Sequence, residues 1–248
     1  DNIIVSEDEF EQAYEEVDEE DIRIIERAAS AVKRYHSHQL PESWEKEFEE
    51  GGKAGQIVRS LKSIGAYVPG GTAKYPSTVL MSVIPAKVAG VEEIVLCTPP
   101  SPKGKVNPEV LVASEIAGVD KVYRVGGAQA IAAMAYGTES IEKVDKIIGP
   151  GNVYVAAAKE IVSKDVEIDF LAGPSEVLVL ADSSANARFV ALDLVAQAEH
   201  DESSSSILVT TSEELARDVS KEVIDILDEI PRSDIASIAL EKNGLAII

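Results

Sequence analysis

One cysteine stands in the 248 residues, so no internal disulfide is open to the chain. Cys97 lies in the apolar run EIVLC, the setting of a buried, inert thiol rather than a reactive one. A reducing, cytoplasmic location is expected. No apolar run reaches the roughly 20 residues that a membrane helix requires, which excludes a helical membrane span. The opening DNIIVSEDEF is acidic and lacks both a methionine and the basic-then-apolar order of a secretory signal. Basic residues are scarce as well. Lys and Arg number 23 against 44 Asp and Glu, for a net charge of −21. Residues 1–50 alone carry 17 acidic side chains and 5 basic ones. Nucleic acid is gripped through Lys and Arg, so this balance excludes it as a partner. The acidic run reads as a solvated helix face. The common phosphate-loop fingerprints are absent too. Counting from Gly149, the sixth position of a G-x-G-x-x-G is Tyr154, and no G-x-x-x-x-G-K-[ST] occurs.

What is present is an alternation. Residues 19–38 read as a helix, with Ile24, Ile25, Ala28, Ala31, Val32 and Tyr35 on one stripe and Pro41 beyond its end. From Gln56 onward, short apolar runs alternate with helical stretches. Strands are expected at 93–97, 121–125, 143–148, 176–180 and 206–210, all reading as buried. Helices are expected at 77–89, 108–117, 128–136, 152–163 and 186–200. The punctuation is clearest at 108–117, where Asn107 is a capping residue, Pro108 opens the helix and Gly118 follows it. Such a pattern specifies an α/β fold, a parallel sheet flanked by helices. The closing GLAII reads as the start of one more buried strand that stops abruptly, which fits either a strand closing a sheet edge or a piece of something longer.

In open α/β sheets, ligands bind in the loops at the carboxyl ends of the strands. Four such loops here are rich in glycine: YVPGGTA from Tyr67, VGGAQ from Val125, IGPGN from Ile148 and LAGPSE from Leu171. Glycine lets backbone N–H groups approach a ligand, and a following helix N-terminus favours an anion. Each loop taken alone also fits a tight turn. Tyr67 fits a ring laid on a planar ligand or a half-buried strand residue. Gln129 and Asn152 open helices, and Asn152 equally fits a plain N-cap. Ser175, in Gly-Pro-Ser-Glu, is no nucleophile elbow, because Val177 stands where G-x-S-x-G needs glycine. It fits a substrate contact or a turn cap. Gln197 and His200, three residues apart in LVAQAEHDESSSS, point from one helix face. They fit a pair of metal ligands, or a histidinium set against its own helix dipole. Two ligands alone do not hold zinc.

Together these loops resemble histidinol dehydrogenase. The segments that carry the resemblance are YVPGGTAKYPSTVLMSVIPAKVAG at 67–90, VGGAQAIAAMAYGTESIEKVDKIIGPGN at 125–152, AGPSEVLVLAD at 172–182 and VAQAEHDESSS at 195–205. The resemblance implies oxidation of L-histidinol to L-histidine through an aldehyde, with two hydride transfers to NAD and one zinc per site. It implies NAD contacts from Tyr67, Gln129 and Asn152, a substrate contact from Ser175, and zinc ligation with substrate contact from Gln197 and His200. It further implies two similar, incomplete Rossmann-like domains in a homodimer. One would comprise 67–175 and bind NAD; the other would be built from 1–66 and 176–248, and is truncated here. The family's acid–base Glu-His pair and its remaining zinc ligands fall beyond Ile248, so no catalytic residue is assigned within this chain. His36 and His38 match no family site. Two other readings stay open: a related NAD- and zinc-dependent dehydrogenase of another small alcohol, and a dinucleotide-binding module without catalysis.

Overall fold

The structure, a computed structural model, describes residues 3–70, 74–171 and 176–248. The chain divides into two units, 1–171 and 172–248.

The first unit opens with α1 (Glu7–Glu16) and α2 (Glu19–His36). A short antiparallel hairpin follows, β1 (Trp44–Glu47) with β2 (Lys53–Gln56). Then comes the alternation proper: β3 (Ser63–Tyr67), α3 (Pro76–Val88), β4 (Glu93–Cys97), α4 (Pro108–Ala117), β5 (Lys121–Tyr123), α5 (Ala128–Tyr136), β6 (Lys146–Ile148), α6 (Val153–Val162) and β7 (Glu167–Ile168). The five strands form one parallel sheet in the order β5-β4-β3-β6-β7. Side chains alternate between its faces. Ile64, Ala66, Ile94, Leu96 and Val122 pack with α1 to α4 on one side. Val95, Cys97, Tyr123 and Ile147 pack with α5 and α6 on the other. Burial on both faces explains why β3 has no exposed residue.

Local chemistry sets the boundaries. The Asn107 side chain accepts from the N–H groups of Glu109 and Val110, while Gly118 ends α4 in the left-handed region at φ 85°. The expected helices at 108–117 and 128–136 occur at those bounds. The stripe expected on the first long helix is half right: Ile25, Ala28 and Val32 pack inward, while Ile24, Ala31 and Tyr35 are exposed. The inward residues of α2 also include Ile22 and Ala29. Two overlapping stripes both run at steps of three and four, and packing on α3 and α4 selects the one through Ile22, Ile25, Ala29 and Val32. Residues 1–66 pack within the first unit, because α1 and α2 lie on α3 and α4 and β3 is the central strand.

The second unit comprises β8 (Glu176–Ala181), α7 (Ala187–Ala198), β9 (Ser205–Thr210), α8 (Glu213–Glu229), α9 (Ser233–Asn243) and β10 (Gly244–Ile247). Its sheet is parallel, ordered β10-β9-β8. One face packs on α7 and α8 through Val177, Val179, Leu208, Val190 and Leu215. On the other face Leu178, Leu180, Leu245 and Ile247 are exposed. The run EVLVL was expected to be a buried strand. Among the described residues, only one side of it is covered.

Candidate cofactor crevice

The chain runs from β3 outward to β4 and β5, then returns to place β6 on the other side of β3. The carboxyl ends of β3 and β6 therefore flank a topological switch point, where the two connections diverge and leave a crevice. Two of the glycine-rich loops lie at its lips: Tyr67 to Gly70 leaves β3, and Gly149 to Asn152 leaves β6. The loop from Arg124 to Gly127 leaves β5 nearby.

These loops are knitted to one another. A Cβ on Gly149 would overlap the Tyr67 carbonyl oxygen, and the residue holds φ at +113°, which other residues rarely adopt. A Cβ on Gly126 or on Gly70 would press into Pro99, at the end of β4. The Gly127 N–H donates to the Tyr67 hydroxyl at 3.0 Å. Tyr67 itself is only 4% exposed, and burial pushes its hydroxyl pKa up despite the Gly127 hydrogen bond. Its ring lies in the core with Cys97, Tyr123 and Ile147, not open for a ligand to stack on. What Tyr67 offers the crevice is the fixed position of Gly127.

Gln129 is exposed on the first turn of α5, with its amide folded over Gly127. Asn152 caps α6, its Oδ1 accepting from the N–H groups of Tyr154 and Val155, both at 3.1 Å. Its NH2 group has no hydrogen-bond partner among the described residues. Both side chains are exposed at helix N-termini, where backbone dipoles favour anionic groups. A cavity of about 590 Å³ opens between the ends of β3 and β4, lined by Pro69, Gly70, Thr98, Pro99, Lys103 and Asn107 and not by Gln129 or Asn152. A second cavity, of about 820 Å³, is mainly apolar and reaches Gly149 and Pro150 from the α3 side.

Sequence reasoning missed Lys159. This α6 residue is 2% exposed, yet carries an ammonium group. The ammonium donates to the carbonyl oxygens of Gly149 at 2.9 Å and Phe170 at 3.0 Å, and pairs with Asp169. The other Asp169 oxygen accepts the Gly149 N–H at 2.8 Å. No pattern in VYVAAAKEIV marks that lysine as inward.

In the second unit, Gln197 lies half-buried in the last turn of α7, and His200 is exposed just past the helix end. The His200 N–H still donates to the Gln197 backbone carbonyl at 3.2 Å, so the turn continues and keeps the two residues adjacent. Asp201 follows in a tight turn. Hydrogen bonds from the Ser203 hydroxyl and N–H, aided by the nearby His200 and Arg232, hold its carboxyl below its usual range against partial burial. Among the described residues no cluster of three His, Cys, Asp or Glu side chains is placed to hold a metal. Ser175 lies outside the described residues.

Comparisons with known proteins bear on the whole chain. A family model described as histidinol dehydrogenase matches residues 1–248. The histidinol dehydrogenase of Methanothermobacter thermautotrophicus is 49% identical over 247 residues, covering 100% of this chain and 58% of the relative. That of Bacillus licheniformis is 53% identical over 244 residues, covering 98% of this chain and 57% of the relative. The crystal structure of histidinol dehydrogenase from Elizabethkingia anophelis superposes with a TM-score of 0.92 at 46% identity, covering 100% of this chain and 57% of that one. The chain thus spans less than three-fifths of the length of these relatives. Since the family match runs from the first residue to the last, the chain belongs to the histidinol dehydrogenase family.

Proposed function

We propose that the protein to which this chain belongs oxidises L-histidinol to L-histidine, as an NAD-dependent, zinc-requiring enzyme of histidine biosynthesis working as a cytoplasmic homodimer. The observation that carries this reading is the family match along all 248 residues, at 49 to 53% identity to curated histidinol dehydrogenases. In this reading NAD occupies the crevice at the carboxyl ends of β3 and β6, and when bound it supplies the hydride acceptor for both oxidations. The residues present fit it. The crevice sits at the switch point, two helix N-termini face it, and Asn152 keeps an NH2 group for a cofactor acceptor. Gln129 contributes a second amide, while Tyr67 acts through the Gly127 turn that its hydroxyl holds. Ser175 is assigned to the substrate.

Zinc is matched only on one side. Gln197 and His200 supply an oxygen and a nitrogen donor, of kinds that zinc accepts, but a zinc site needs at least three protein ligands. Gln197 and His200 would hold one side of the ion and orient the substrate beside it. The test is NADH formation, read by absorbance, with L-histidinol and the full-length protein before and after chelation of zinc. Histidinol-dependent activity lost on chelation and restored by zinc is expected. Failure on histidinol alongside turnover of another small alcohol would overturn the substrate; no turnover of any alcohol, with NAD still bound, would favour a binding module.

A further inference from the structure

We propose that Lys159 and Asp169 are positioning residues for the cofactor, gripping Gly149 so that the turn to Asn152 stands where NAD requires it. The inference rests on the reading of the crevice as an NAD site. Its basis is that a buried lysine and its partly buried carboxylate partner hold both polar groups of one residue. The Lys159 ammonium takes the Gly149 carbonyl and Asp169 takes the Gly149 N–H. Gly149 is the residue whose backbone meets Tyr67 at the switch point, with φ at +113°. Three residues on, Asn152 caps α6 and points its NH2 group outward. The same ammonium holds the Phe170 carbonyl, beyond the end of β7. Two neighbouring strand ends are thereby fixed by one side chain.

The choice of residues is informative. A cation that is 2% exposed has been stripped of water, and an apolar residue of similar volume generally stabilises such a position as well or better. Packing alone does not call for lysine here. A lysine reaching two carbonyls and a carboxylate does what an apolar residue cannot: it fixes the direction of a turn. An apolar residue would leave the Gly149 and Phe170 carbonyls free to reorient, and the lip of the crevice with them.

The experiment compares the full-length wild-type protein with its Lys159→Met variant and with the double variant Lys159→Met/Asp169→Asn. NAD affinity is measured by calorimetric titration, folding by circular dichroism and thermal melting, and exchange of the Gly149 amide by NMR. Lys159→Met leaves an unpaired carboxylate; the double variant removes that charge as well. The double variant is expected to melt above Lys159→Met, yet both are expected to bind NAD at least tenfold more weakly than wild type. Faster Gly149 exchange should accompany the loss. A double variant that binds NAD like wild type would overturn the positioning role while leaving the cofactor reading intact. A full-length wild-type protein that binds no NAD would overturn the cofactor reading itself and this role with it.

Discussion

Replacing Gly149 by alanine tests the geometry of the crevice most directly, because a second glycine supplies its control. At Gly149 two penalties combine. The residue holds φ at +113°, and an added Cβ would overlap the Tyr67 carbonyl oxygen, a backbone atom that cannot swing away. Forcing an L-residue into the left-handed half of the map costs about 1–2 kcal/mol. Overpacking against a fixed neighbour adds about 1–3 kcal/mol, for a sum of roughly 2–5 kcal/mol. Gly104 has φ at +78° but nothing within 4 Å of an added Cβ, so it carries the backbone penalty alone. In a unit of this size 1 kcal/mol corresponds to about 2–4 °C in melting temperature. Gly149→Ala should therefore melt on the order of 10 °C below wild type, and Gly104→Ala only about 2–8 °C below. The assay is thermal unfolding by circular dichroism, with hydrogen exchange at β3 and β6 to locate the loss. Equal losses for the two variants would refute the close approach of the β6 loop to β3.

Other consequences follow from single contacts. Tyr67→Phe removes the acceptor of the Gly127 N–H and should destabilise the first unit by about 1–2 kcal/mol in urea titration; an unchanged midpoint would contradict that contact. Burial pushes the Cys97 thiol up to about 12, so the native protein should resist thiol reagents at pH 8 and react only when unfolded. Glu9 is raised by burial, but the Ser6 N–H and the Arg124 guanidinium outweigh that and leave its carboxyl below the usual range. A carboxyl lowered by folding stabilises the native state above its unfolded value of about 4.3 and loses that contribution as pH falls through the folded value. Exchange of the Val5 and Arg124 amides, which tie residues 3–5 to β5, should thus quicken below about pH 4, and Glu9→Gln should remove that pH dependence.

The sequence was most legible where backbone chemistry is local. The ends of α4 are written in Asn107, Pro108 and Gly118, and those of α5 in two flanking glycines, so both helices could be placed without any tertiary knowledge. The parallel sheet followed from the alternation of apolar runs with capped helices. Three features were not legible, each for a physical reason. The buried side of α2 depends on which of two overlapping apolar stripes meets α3 and α4, and that is decided by packing. β3 was missed because SIGAY contains a glycine and has few branched residues, although it is the central strand. Lys159 has the spacing of an ordinary surface lysine, and its partner stands ten residues away, beyond a strand. Gln197 and His200 stand adjacent at the end of α7 as their spacing implied, and no cluster of three His, Cys, Asp or Glu side chains placed to hold a metal forms among the described residues.

The glycines carry a different weight from the one their sequence pattern invites. Read as a series, four glycine-rich loops point to a ligand, because glycine admits close approach of a backbone. In the folded chain, much of this approach is between the loops themselves. Gly70 and Gly126 both make room for Pro99, and Gly149 makes room for Tyr67. A side chain at any of them would push neighbouring strand ends apart before it touched a cofactor. Glycine at these positions is therefore accounted for by packing, and adds little of its own to the case for a ligand. What remains is the switch point between β3 and β6, the amides of Gln129 and Asn152 at two helix N-termini, and a buried cation that sets the direction of one turn. Because the lips are locked by backbone contact, a cofactor would enter a crevice already shaped and lose little affinity to ordering the loops. The same rigidity means that a side chain added at Gly70, Gly126 or Gly149 should act on stability first, whereas changes at Gln129, or at Lys159 together with Asp169, should act on affinity, and a change at Asn152 on both through its lost cap.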